Sequence, residues 1–116
     1  MISAWVGVAF AVLTGAWAFL APGSFYEVVA EYPPFNRHLF HDLGAFQLGI
    51  AASLVAGLAR RTAIAVGLWG GAVGATLHAV SHWIDVDRGG RASDPWLLSL
   101  LALVLVAGLI AAEVRR

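Results

Sequence analysis

The sequence predicts an all-α integral membrane protein, a four-helix bundle with a short interfacial helix in its first outer loop. Hydrophobic residues make up 60% of the 116 residues and charged residues only 12%, whereas a soluble domain carries about 25% charged residues. The apolar residues also gather into four runs, each close to the ~20 residues that cross a hydrocarbon core. Because lipid offers the backbone no hydrogen bonds, each run is expected to be helical.

The four predicted spans follow these runs in order. We place them within a single transmembrane domain, residues 1–116, at residues 4–20, 39–58, 62–83 and 96–112. The first run ends in an Ala-Trp-Ala sequence like that of a signal-peptide cleavage site, but no basic residue precedes the run. A secretory signal normally has a basic segment there, so we expect a retained helix.

The loop after the first span has a helical pattern of its own. Ser24 and Glu27 have the spacing of a capping box, in which a serine and a glutamate bond to each other's backbone amides. Glu27 and Glu31 lie one turn apart on the polar face, and Pro33-Pro34 ends the pattern. We predict an interfacial helix near residues 24–32, lying across the outer mouth of the bundle with its two glutamates near any site there.

Arginines set the predicted topology. The turn between the second and third spans contains Arg60 and Arg61, and the chain ends in Arg115 and Arg116. The other side carries three arginines, namely Arg37, Arg88 and Arg91, and acidic residues lie among them. The positive-inside rule then places both termini in the cytoplasm of a multi-pass protein of the inner (plasma) membrane. The seven acidic residues cancel the charge of the seven arginines, so the chain has no net positive charge that would attract nucleic acid.

All four histidines lie at the predicted outer ends of the second and third spans. The stretch LHAVSHWID, residues 77–85, carries His78, His82 and Asp85, and the stretch NRHLFHD, residues 36–42, carries His38, His41 and Asp42. In an antiparallel hairpin, residues equally far from the turn lie at equal depth. His38 precedes position 60 by as many residues as His82 follows it, and Asp42 and His78 match in the same way.

Small residues continue the histidine faces of both spans. Gly67, Gly71, Gly74 and Ala75 follow the face of His78 and His82, and Ala45, Gly49, Ala52, Ser53 and Ala56 follow the face of His38 and Asp42. Small residues let membrane helices approach closely. We therefore expect the two histidine faces to be packed against each other.

The predicted site is a metal-binding or redox site between the second and third spans near the extracytoplasmic face, in which the ion could have a catalytic or a transfer role. Its candidate ligands are His38, His41, Asp42, His78, His82 and Asp85. Imidazoles and carboxylates suit zinc, copper or iron. One histidine from each helix, His38 and His82, could instead hold a b-type haem, although close helix packing leaves little room for the macrocycle. Two alternatives stay open. One is a proton-binding or ligand-binding transport module, and the other is an accessory subunit in which the histidines are structural. Both imply a homo-oligomer or a larger membrane complex.

Other chemistries find no support in the sequence. The chain has no cysteine, which excludes disulfides and thiolate metal sites, and it has no HExxH motif or glycine-rich phosphate loop. Its length, its four spans and the stretch GAFQLG, residues 44–49, resemble the small four-helix bacterial membrane proteins of the DoxX-like group. That resemblance implies a four-helix bundle and no particular site residue.

Overall fold

A computed structural model describes residues 1–60 and 63–115 of the chain. These residues form helices and connecting loops, with no strand among them. The helices are α1 (Ile2–Leu20), α2 (Pro22–Val28), α3 (Arg37–Ala59), α4 (Ile64–Ile84) and α5 (Asp94–Val114).

The four long helices confirm the four predicted spans. α1, α3, α4 and α5 have 19 to 23 residues and are long and apolar enough to cross a membrane. The bundle is 46 Å long, which matches the ~40–45 Å of a bilayer with its head groups. Many large apolar side chains point outward, such as Leu13, Phe46 and Val66, as a lipid-facing surface requires.

The short helix α2 differs from the predicted interfacial helix in both its ends. It begins at Pro22 and ends at Val28, whereas the sequence pattern predicts residues 24–32. Proline suits the first turn of a helix because it lacks an amide hydrogen. Ser24 does not cap the helix, since its hydroxyl oxygen instead accepts a hydrogen bond of 2.7 Å from the indole of Trp17. The predicted capping box is therefore wrong.

The helices pack mainly as two pairs, α1 with α3 and α4 with α5, and the α3–α4 hairpin joins these pairs. One end of the bundle, which we call the arginine end, carries Arg60 and Arg115. The opposite end, which we call the histidine end, carries all four histidines. A core around Leu54, Leu68 and Leu105 fills the arginine half, while Phe25 and Phe40 pack together at the histidine end.

The tightest helix crossing joins α1 and α3 at two glycines. A Cβ atom added to Gly44 would lie 2.7 Å from the carbonyl oxygen of Gly15 and 2.7 Å from the amide nitrogen of Phe19. A Cβ atom added to Gly15 would lie 2.9 Å from the Cβ of Gln47. Only glycine lets these backbones approach so closely, and this approach fixes how α1 and α3 face the interior of the bundle.

Candidate functional site

The last two turns of α4 place two imidazole rings in contact. His78 and His82 are four residues apart and therefore lie on one face of the helix. Their ring centroids are 4.9 Å apart, at an interplanar angle of 64°. Both side chains are half-buried. The sequence predicted this pair on one face, and the structure confirms their proximity.

The hydrogen-bond partner of His82 is Tyr32, in the loop between α2 and α3. The Tyr32 hydroxyl lies 3.1 Å from Nδ1 of His82, and the two rings meet edge to face with centroids 5.7 Å apart. Burial raises the pKa of the Tyr32 phenol, and the charges of Asp94 and Asp85 raise it further. The phenol therefore keeps its proton at neutral pH, and its O–H can donate a hydrogen bond to Nδ1 of His82.

Two glycines after α4 hold Tyr32 in this place. The amide of Gly90 donates a 3.1 Å hydrogen bond to the carbonyl oxygen of Glu31. Gly90 has a φ of +73°, and a Cβ added there would lie 2.6 Å from the Tyr32 hydroxyl. A Cβ added to Gly89 would collide with the same Glu31 carbonyl. The loop therefore needs glycine at both positions for the tyrosine to reach His82.

Arg91 and Asp94 complete the connection between the two loops of the histidine end. A guanidinium N–H of Arg91 donates a 2.6 Å hydrogen bond to the carbonyl oxygen of Val28, the last residue of α2. The backbone amide of Arg91 donates to a carboxylate oxygen of Asp94 at 2.8 Å. These bonds hold α2 and the loop after it against the ends of α4 and α5.

The other histidine pair lies away from this group. Nε2 of His38 is 3.5 Å from a carboxylate oxygen of Asp42, and the side chains are 84% and 52% exposed. His41 instead contacts α1, where its ring lies 5.4 Å from that of Phe19. In the described part of the chain, no hydrogen bond, ion pair or ring contact links these three residues to His78 or His82.

The structure confirms the predicted register of the α3–α4 hairpin. The face of α3 that was predicted to pack against α4 is wrong. A Cβ added to Gly67 would lie 2.7 Å from the carbonyl oxygen of Ser53, and these two residues are equally far from position 60. However, Ala45, Gly49 and Ala52 are exposed, and a Cβ added to Gly49 would meet no atom within 4 Å. This stripe turns outward and carries His38 and Asp42 with it.

The structure does not gather the six predicted ligands into one centre. Among residues 1–60 and 63–115, no group of three or more histidine, cysteine, aspartate or glutamate side chains lies close enough to hold a metal ion. Asp85 is half-buried beyond the end of α4, and Glu27 and Glu31 are exposed. Metal or haem binding by these residues stays a prediction.

Two adjoining cavities lie beside His78, inside the bundle. The upper cavity, toward the histidine end, has a volume of about 200 Å³ and the lower one about 190 Å³. His82, Asp94 and Thr14 line the upper cavity, and Ile50, Gly74 and Ala75 line the lower one. Four side chains line both cavities, namely Phe10, Leu43, Gln47 and His78. The walls are largely apolar with a few polar groups, as is usual for small-molecule sites.

The shared wall carries polar groups without a partner in the protein. Within the described residues, neither the carboxamide of Gln47 nor the imidazole of His78 makes a hydrogen bond. No buried side-chain nitrogen or oxygen there lacks a partner, so the polar atoms of these two side chains are accessible and not enclosed. Thr14, by contrast, donates its hydroxyl hydrogen to the carbonyl oxygen of Phe10 at 2.7 Å. The sequence prediction included His78 but missed Gln47 and Tyr32. An uncharged glutamine inside an apolar span was a signal that could have identified Gln47.

Comparisons with protein-family models, with curated proteins and with solved structures found no match. The resemblance to the DoxX-like group stays a prediction from architecture.

Proposed function

We propose that this membrane protein binds a small, mainly apolar molecule with one hydrogen-bonding group, in the two cavities beside His78. The observation that carries the proposal is the pairing of apolar space with the unpaired polar groups of His78 and Gln47. An accessible polar group on the wall of an apolar cavity can hydrogen-bond to a ligand there, and one such bond contributes about 1 kcal/mol net.

The size of the cavities defines the ligand. An apolar cavity of about 150 Å³ can bind benzene, so each of these two cavities can hold a group the size of one ring. They adjoin at His78 and Gln47. An elongated molecule could therefore place its polar group at that junction, with an apolar part in the lower cavity.

The ligand would enter from the lipid. Phe46 lines the lower cavity and is 75% exposed, and Leu97 lines the upper cavity and is 61% exposed. Each cavity therefore extends to the apolar outer surface of the bundle. A molecule dissolved in the bilayer can reach such a site without crossing water.

A pair of probes that differ by one hydroxyl group tests the proposal. The purified protein is titrated with 4-butylphenol and with butylbenzene, and the shift in the midpoint of thermal unfolding is measured. The phenol should bind about fivefold more tightly, because one net hydrogen bond contributes about 1 kcal/mol. Equal binding of the two probes would contradict the proposed role of the polar groups.

Three variants locate the binding. His78→Phe keeps an aromatic ring but removes both imidazole nitrogens, so it should reduce the preference for the phenol. His38→Phe is the matched control, since His38 is exposed and lines neither cavity, and it should keep the preference. Ala75→Leu fills part of the lower cavity and should weaken binding of both probes.

A transition-metal ion at the imidazole pair is the second candidate. The contact between His78 and His82, with Asp94 on the wall of the same cavity, favours it. We place it second because the described residues offer no set of three ligands. Elemental analysis of protein purified after growth with zinc, copper and iron tests it. A stoichiometric metal that His78→Phe removes and His38→Phe retains would favour the metal over the organic ligand.

A further inference from the structure

A long apolar groove lies at the arginine end, far from the cavities beside His78. It has a volume of about 1160 Å³ and runs between the start of α1 and the facing sides of α4 and α5. Ile64 and Leu68 of α4 form one wall, while Val104, Ala111 and Arg115 belong to the α5 wall. The proposed ligand site shares none of these residues.

Small residues on α5 create the groove. α1 approaches α5 closely at Gly108, where an added Cβ would collide with the Ser3 side chain. On the same side of α5, Ala107, Ala111 and Ala112 leave the space on either side of this contact unfilled. The groove therefore stays open toward the surrounding lipid because these alanines are too small to fill it.

The charge around the groove is positive. Arg60 and Arg115 lie at this end of the bundle, and Arg61 and Arg116 adjoin them in sequence. Glu113 is the one acid in the sequence near this end, and its carboxylate accepts a 3.0 Å hydrogen bond from the Trp69 indole. The opposite end has three arginines and six acids. An anionic group is therefore attracted to the arginine end.

The depth of the groove matches one leaflet of a bilayer. Along α5 it runs from Val104 to Arg115, a rise of about 16 Å at 1.5 Å per residue. Half of a hydrocarbon core is about 15 Å thick. With Arg115 at the level of the head groups, the apolar part of the groove lies at the depth of an acyl chain.

We propose that this groove holds an acyl chain of an anionic phospholipid, with the lipid phosphate at Arg115. The groove supplies the apolar contact along one leaflet, and the arginines supply the charge that selects an anionic over a zwitterionic head group. The lipid would help to hold α1 against α5, which meet at Ser3 and Gly108 beside the groove and again where Gly7 lies against Leu105.

Native mass spectrometry of the full chain tests the proposal. The protein is released from bilayers with equal amounts of phosphatidylglycerol and phosphatidylcholine, and the retained lipid is identified by its mass. We expect one retained phosphatidylglycerol. Arg115→Gln should lower its retention about fivefold, the factor that one basic residue contributes at an anionic surface. Replacing Arg88, an arginine that is also exposed but lies at the other end, by glutamine should leave retention unchanged.

A second variant separates the groove from the charge. Ala111→Phe fills the groove and leaves every arginine in place, so it should also reduce retention of phosphatidylglycerol. Equal retention of the two lipids by the unmodified chain would overturn the proposal, as would full retention after Arg115→Gln. A lipid-free dimer would also overturn it and would assign the groove to a second copy of the chain.

Discussion

Replacing Gly44 with alanine perturbs the helix crossing that positions one side of the proposed ligand site. α1 contributes Phe10 and α3 contributes Leu43 and Gln47 to the wall shared by the two cavities. The added methyl carbon would lie 2.7 Å from the backbone of both Gly15 and Phe19, whereas carbon contacts are most favourable near 3.5–4.0 Å. Backbone atoms cannot rotate away, so the two helices must separate.

The size of the effect follows from two opposing terms. Inserting a methyl group into a closely packed site costs about 1–3 kcal/mol, and replacing glycine by alanine in a helix gains up to about 1 kcal/mol. Gly49→Ala on the same helix is the control, because its Cβ would meet no atom within 4 Å. The difference between the two variants isolates the packing term. Gly44→Ala should therefore be less stable than Gly49→Ala by about 1–3 kcal/mol.

Reversible unfolding in mixed micelles, followed by far-UV circular dichroism, measures this difference. Gly44→Ala should also bind 4-butylphenol more weakly, because α1 moves away from the cavities. Equal stability of the two alanine variants would refute the close approach of α1 to α3, and with it the placement of Phe10 beside Gln47.

Three further predictions concern the Tyr32–His82 contact. Tyr32→Phe removes the 3.1 Å hydrogen bond to His82 and should lower the free energy of unfolding by about 0.5–1.5 kcal/mol, measured by chemical unfolding; an unchanged value would count against that bond. Gly90→Ala introduces a methyl group at a positive φ and against the Tyr32 hydroxyl, and it should lower the free energy of unfolding by about 1–3 kcal/mol. Gly23→Ala is its control and should have little effect in the same assay, because the added Cβ meets no atom within 4 Å. The pKa of Tyr32 is higher in the folded state, so the unfolded chain releases this proton first as the pH passes about 10. The free energy of unfolding should therefore be unchanged below that pH and fall above it, and the fall should be less steep in Tyr32→Phe. The unfolding midpoint measured across the alkaline range tests this.

The parts of the fold that depend on local pattern could be predicted from the sequence. Apolar run length determines which segments can span a membrane, and all four predicted spans are helices. The depth match between α3 and α4 was also predictable, because a short turn leaves little freedom of register. The position of Gly67 against the Ser53 carbonyl follows from that register.

The rotation of α3 could not be predicted from the hairpin alone. Small residues occupy two sides of this helix, and a stripe of small residues does not reveal which side is buried. The packing of α1 determines which side of α3 is buried, because its close approach at Gly15 requires Gly44 to face inward. Gly49 and His38 then face outward, and the predicted meeting of the two histidine pairs is lost.

The contact between Tyr32 and His82 could not be predicted from the sequence either, for a different physical reason. Tyr32 and His82 are 50 positions apart, and their contact depends on the loop that contains Gly89 and Gly90. Two adjacent glycines are typical of a turn. The sequence does not show that they make room for the Glu31 carbonyl and the Tyr32 ring.

Photolabelling with a diazirine analogue of 4-butylphenol tests most directly whether the cavities beside His78 bind a ligand. Labelled peptides are mapped by mass spectrometry, with and without an excess of unlabelled 4-butylphenol. We predict competed labelling on the shared wall, at Phe10, Leu43 or Gln47. Labelling confined to outward-facing residues such as Leu13 and Val66, and unaffected by the competitor, would contradict a ligand site inside this bundle.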